Sequence, residues 1–184
     1  MQITKRLLRY VEFVANRKRL PLLGIAFLTF NLFILPSLLA DIKAVSQGTT
    51  VLDLLPWYTP DEARQHLNIF GEEGRRLYLI AEWTADFVYP TVYGLFFAGF
   101  LFRLGGGTWS LLPIYSAMID YSENIFVTIL LLHYPGFNPV IGQIAALLTS
   151  LKWMFILSSI MMILVRIFIL FAEWLKKRRM PSKL

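Results

Sequence analysis

Between Arg75 and Leu104 the chain runs through an apolar segment long enough to cross a bilayer, and two carboxylates, Glu82 and Asp86, stand inside it. Arg75, Tyr78, Glu82, Asp86, Tyr89 and Tyr93 recur at steps of three and four, so they form one polar stripe on a helix whose other faces are Leu, Ile, Val and Phe. A charged residue at the centre of a spanning helix costs roughly 2.5 kcal/mol or more on insertion scales, so such a stripe must face protein or water. Two further apolar segments supply the partners: Asp120, Glu123 and Asn124 on one, Lys152 on the other.

Composition extends this reading to the whole chain. Of 184 residues 57% are hydrophobic and 16% charged, against about 25% charged in an average soluble domain. The balance sets aside a soluble protein and predicts an all-α fold, an integral membrane four-helix bundle forming a single domain over 1–184. Its spanning helices are expected at 20–40, 77–102, 109–134 and 140–171. An N-terminal amphipathic surface helix over 1–19 precedes them, with Ile3, Leu7, Val11 and Val14 on one face. Residues 41–76 form an external loop. With no cysteine, the chain offers no disulfide, thiolate nucleophile or soft metal site.

The net charge of +6 sits mostly in Lys5 to Arg19 and Arg166 to Lys183, which suits anionic headgroups and gives no reason to expect nucleic acid. The two tails hold six and five Lys or Arg while the hairpin at 135–139 holds none, so both termini are expected in the cytoplasm and the chain in the plasma (inner) membrane.

Local signals add detail. Asn31 lies mid-span, and Pro36 removes the hydrogen bond to the carbonyl of Leu32, which predicts a bend with polar groups turned inward. Within the loop, Thr59-Pro60-Asp61-Glu62 has the form of a capped helix start and Gly71 that of a stop, with Ala63, Leu67 and Phe70 on one side of an element expected at the interface. That short helix either acts as a lid or simply covers the bundle end. Gly94, Ala98 and Gly99 make a small-residue face for close packing.

Depth then gathers the charges. Counting along the helices, Asp86, Asp120 and Lys152 each lie about 15 to 18 Å from the end of their span, at the bilayer midplane. Glu82 and Glu123 lie further out, so the acids are expected to form a column opening toward the loop, with Arg75 and Arg76 at its entrance. By depth, the partners of Lys152 are Asp86 and Asp120. Pro90 leaves the carbonyl of Asp86 free at the same level, where Tyr89 and Tyr93 can donate to it or line a channel. Carboxylates with an amide suit hard cations, but His66 and His133 stand singly near the surface, so no metal site is expected and no cofactor is identified.

Four segments, Gly71-Glu72-Glu73-Gly74-Arg75, Asp86-Phe87-Val88-Tyr89-Pro90, Asp120-Tyr121-Ser122-Glu123-Asn124 and Leu151-Lys152-Trp153, resemble a bacterial family of small four-helix membrane proteins with no assigned activity. The resemblance covers about residues 60 to 155 and implies the topology but no function. A looser likeness, at the level of fold, is to the four-helix EXPERA domain of sterol isomerases and sigma-2-type receptors, which buries acidic residues in a pocket opening to lipid.

Three functions fit these residues. The first is a pocket for a small amphipathic or lipid-like ligand, with Asp86, Asp120 and Glu123 as acid/base or ligand-binding groups and Lys152 as their counter-charge. Glu82, Tyr89, Tyr93, Asn124, Asn31 and Trp153 complete its lining. The second is a proton- or cation-coupled carrier. The third is an accessory subunit among other membrane subunits, whose ion pairs only fix helix register. Membrane lipids are the expected partners throughout.

Overall fold

The computed structural model describes residues 2–179, so Lys183 at the end of the expected basic tail lies outside them. All regular structure among these residues is helical. Helix α1 spans Gln2–Val14, α2 Arg19–Val45, α3 Pro60–Trp83, α4 Ala85–Arg103, α5 Leu112–His133 and α6 Pro139–Arg179.

Three stretches are long and apolar enough to cross a membrane: Arg19–Val45, the α3–α4 pair over Pro60–Arg103, and Pro139–Arg178. The expected span at 109–134 is not one of them, although α5 covers 22 residues there. Asp120, Glu123 and Asn124 interrupt its apolar character, and all three are buried.

Two cores hold the helices together. The larger joins Ile42 of α2, Leu67 and Phe70 of α3, Val127 and Leu130 of α5, and Ala145 of α6. The smaller joins Val11 of α1 to Ala98 of α4 and to Leu111 in the 3-10 turn before α5. So α1 does more than lie on a surface: part of its apolar face docks on protein, while Ile3, Tyr10 and Phe13 on the same helix stay exposed. The small-residue face of α4 serves both sides. A Cβ on Gly94 would stand 2.9 Å from that of Ala117 on α5, and one on Gly99 would stand 3.5 Å from the backbone of Ala15 after α1. Helices approach this closely only where no side chain intervenes.

Each predicted break is present, and each takes a form set by its own hydrogen bonds. In α2 the chain makes one wide turn over Phe30–Ile34, with the Leu35 N–H reaching back to the carbonyl of Phe30 before Pro36, whose nitrogen has no hydrogen to give. The capping box of α3 is formed: Thr59 N donates to Glu62 Oε2 at 2.7 Å and Glu62 N to Thr59 Oγ1 at 3.2 Å. Ala63, Leu67 and Phe70 are buried as their spacing requires.

At Gly71 (φ 63°, ψ −172°) the helix breaks, but it resumes at once, so residues 72–76 are helical where a loop was expected. A second break falls at Thr84 (φ −116°, ψ −84°), inside what the sequence reads as one span over 77–102.

The segment between α2 and α3 is a strap folded inward. Val51, Leu52 and Tyr58 are buried, and the carbonyls of Asp53 and Pro56 accept from Trp153 Nε1 at 3.0 Å and Ser150 Oγ at 2.7 Å on α6. Burying Leu52 alone contributes roughly 1.5 to 3 kcal/mol toward keeping the strap down.

Candidate functional site

Beside the larger core lies a cavity of about 450 Å³, within the size range of small-molecule sites. Residues of α2, the strap, α3, α4, α5 and α6 all reach it. Despite the break at Thr84, the stripe read from the sequence survives: Tyr78, Glu82, Asp86, Tyr89 and Tyr93 line one wall. Asp120 on α5, Lys152 and Trp153 on α6, and Asn31 on α2 complete the lining.

The Lys152 side is closed on itself. The Lys152 ammonium, 5% exposed, is ion-paired to Glu123 Oε2 and lies 3.4 Å from Asp120 Oδ1. The second oxygen of Glu123 accepts from Thr149 Oγ1 at 2.5 Å, and that of Asp120 from Tyr93 Oη at 2.8 Å. Ser116 completes the net, 3.2 Å from the Tyr93 hydroxyl and donating to the carbonyl of Lys152 at 3.3 Å. Tyr58 is buried nearby, and that burial pushes its hydroxyl above the ordinary range and keeps it neutral.

Depth along the helix therefore gave one partner correctly and one incorrectly. Lys152 pairs with Asp120, as expected, but with Glu123 rather than Asp86. Asp120 and Glu123 are three residues apart on α5 and face the same way, and depth alone says nothing about which way a side chain points. Glu123 consequently stands behind Lys152 and not on the cavity wall.

The other side of the cavity is acidic and open. Tyr78 donates its hydroxyl proton to Asp53 Oδ2 and accepts from Leu52 N at 3.1 Å, which ties the strap to α3. Asp53 Oδ1, Glu82 Oε2 and Asp86 Oδ2 are buried and have no hydrogen-bond partner in the protein. Asn124 lies beside Asp86. It donates to the Asp86 backbone carbonyl at 3.2 Å, the group that Pro90 leaves unbonded four residues on. Tyr89 donates to Asn31 Oδ1 at 3.1 Å, and Asn31 Nδ2 to the carbonyl of Phe27 at 2.7 Å, so the wide turn of α2 is fastened to α4.

The entrance differs from the expected one. Arg75 and Arg76 do not line the cavity: Arg75 donates to the carbonyl of Leu67 at 2.8 Å and lies over the Tyr134 ring, and Arg76 pairs with Glu73 at 2.8 Å on the surface. Arg75 thus satisfies a carbonyl freed where the helix breaks at Gly71. The loop side is plugged by the strap. Exposed residues of the cavity rim are instead Pro36 on α2, Leu54 on the strap and Ile160 on α6, all of them apolar.

The residue missed by sequence reasoning is Asp53. Its signal is the run Val51-Leu52-Asp53-Leu54-Leu55, a lone acid inside five residues that are otherwise apolar and too short to span anything. His66 and His133 bond to the carbonyls of Thr50 and Ile129, away from the acids. Among the described residues no group of three or more His, Cys, Asp or Glu could hold a metal ion.

What the arrangement offers chemically is hydrogen-bond acceptors and proton-exchanging carboxyls against apolar and aromatic walls. Comparison of the chain with protein-family models, curated proteins and solved structures returns no match, so the chemistry of the site rests on its own geometry.

Proposed function

We propose that this chain is a multi-pass membrane protein, an all-α four-helix bundle whose intramembrane cavity binds a small amphipathic or lipid-like ligand. The observation that carries the reading is the cavity itself, with buried carboxyl oxygens lacking partners and an exposed rim of Pro36, Leu54 and Ile160. An amphiphile needs both features: an apolar path in and a polar seat for its headgroup.

Exposure supports the membrane setting. None of the most apolar stretch of α2 is buried, and Leu22, Ile25, Leu28, Leu32 and Phe33 point outward from it. The same holds on α6 for Met161, Leu164 and Phe168. Contiguous apolar surface of this extent calls for lipid around it. Asp86 and Glu82 serve as ligand-binding or acid/base groups on the open wall, with Asp120 at the edge of the closed net and Lys152 as its counter-charge.

Native mass spectrometry of protein extracted from its membrane tests the pocket. An amphiphile retained at one copy per chain, and lost in Ala81→Trp, which fills the cavity from α3, is the expected result. An occupant unaffected by that substitution contradicts it.

The proposed topology puts both termini in the cytoplasm, with α3 from 60 to about 76 and the hairpin at 135–139 outside. In intact cells a cysteine at Glu72 labels with an impermeant thiol reagent and one at Lys176 does not; the opposite pattern overturns the orientation.

A further inference from the structure

We infer that the open wall of the cavity is a seat for an organic ammonium, a single amine group carried on an apolar body. This rests on the amphipathic-ligand reading above and supplies the charge of the ligand. Three segments each bring one carboxyl to the wall: Asp53 from the strap, Glu82 from α3 and Asp86 from α4. Asp53 is 9% exposed and Glu82 2%, and in each residue one buried oxygen has no partner in the protein, as has Asp86 Oδ2. Glu82 interacts with both of its acidic neighbours. Groups so placed repel one another unless something positive or hydrogen-bond-donating comes between them.

The basic residues of the protein do not supply that group, although Asp53 and Glu82 are close enough to share a proton. Lys152 is the one basic residue on the cavity wall among the described residues, and Asp120 and Glu123 already hold it. A cation on this wall would therefore come from the ligand. A metal ion is a poor candidate, because the carboxyls do not converge into a group that could hold one.

A phospholipid headgroup fails for the opposite reason: its phosphate would enter beside Asp53, Glu82 and Asp86 with no free guanidinium or ammonium to receive it. An amine without a phosphate meets neither obstacle. Its N–H groups match unpartnered carboxyl oxygens, and the rings of Phe27, Tyr78, Tyr89, Tyr93, Phe97 and Trp153 around the cavity suit an ammonium and its carbon substituents.

The test compares three probes of equal chain length, dodecylamine, dodecanol and dodecyl phosphate, added to the purified protein in phosphatidylcholine nanodiscs. Binding is read as a saturable rise in unfolding midpoint and as a one-to-one adduct in native mass spectrometry. Dodecylamine is expected to give both, and the alcohol and phosphate neither at the same concentration. Glu82→Gln and Asp53→Asn keep the shape of the wall but remove a charge and replace one acceptor oxygen with an NH2 donor, and each is expected to raise the half-saturating amine concentration at least tenfold.

Selectivity in the unaltered protein needs no variant to fold. Equal binding of amine and alcohol, preference for the phosphate, or unchanged amine binding in both variants overturns the ammonium assignment. If the alcohol binds and Ala81→Trp abolishes it, the pocket stands and only the charge of its ligand is wrong; if no probe binds, both proposals fall.

Discussion

Around Lys152 each oxygen of Asp120 and Glu123 has a partner: one of each lies against the ammonium as an ion pair without a hydrogen bond, and the other accepts from the hydroxyl of Tyr93 or Thr149. Across the cavity, Asp53, Glu82 and Asp86 each keep one buried oxygen without any. The two sides draw on the same residue types at similar burial, yet one is complete within the protein and the other is not. A satisfied buried network fixes how helices meet and leaves nothing to offer a ligand. An unsatisfied one lowers stability on its own and is retained where a ligand completes it. On the proposed function, the closed side holds the helices together and the open side receives the ligand.

If that contrast holds, stability must respond differently on the two sides. The largest effect belongs to Lys152→Met, which leaves Asp120 and Glu123 buried without their cation. Breaking one side of a buried pair typically costs on the order of 3 to 5 kcal/mol, and Glu123→Gln in the same chain is expected to recover part of it. Unfolding in detergent measures both. A double variant no more stable than the single one would show that the pair does not hold the bundle.

Tyr93→Phe comes next, removing the hydroxyl that donates to Asp120. A hydrogen bond to a charged group contributes about 1.5 to 3 kcal/mol, so a loss of that order is expected in the same assay, and no change would place the Asp120 network outside the stability of the fold.

The smallest effect is expected on the open side. Glu82→Gln replaces an unpartnered carboxyl with a neutral group of the same shape, so stability without ligand stays within about 1 kcal/mol of the parent or rises. A loss as large as that of Lys152→Met would mean that Glu82 is structural and the contrast is false.

These residues also mark how far the sequence could be read. The capping box at Thr59 and Glu62, the buried face of Ala63, Leu67 and Phe70, and the stripe from Tyr78 to Tyr93 are short-range patterns that local geometry dictates, and the structure contains all of them. Depth along a helix correctly brought Asp86, Asp120 and Lys152 to one cavity. Direction around the helix did not follow from depth, which is why Glu123 replaced Asp86 as the partner of Lys152.

The strap was illegible for a different reason. Its fold depends on Tyr78, Ser150 and Trp153, as many as a hundred residues away in sequence, and no local pattern in Val51 to Leu55 names those partners. The entrance moved for the same cause. Once Asp53 and Leu52 are folded in, the loop side is shut, and Arg75 is drawn to the break at Gly71.

The most direct measurement is the rise in unfolding midpoint that dodecylamine produces in three proteins: the parent, Glu82→Gln, and Lys152→Met combined with Glu123→Gln. The last removes an opposite pair and leaves the charge of the open wall as it was. The expected result is a lower starting midpoint for that double variant with its amine-induced rise kept, and a near-parental starting midpoint for Glu82→Gln with the rise largely lost. Equal loss of the rise in both variants, or its survival in Glu82→Gln, would contradict the division of the cavity into a structural side and a binding side.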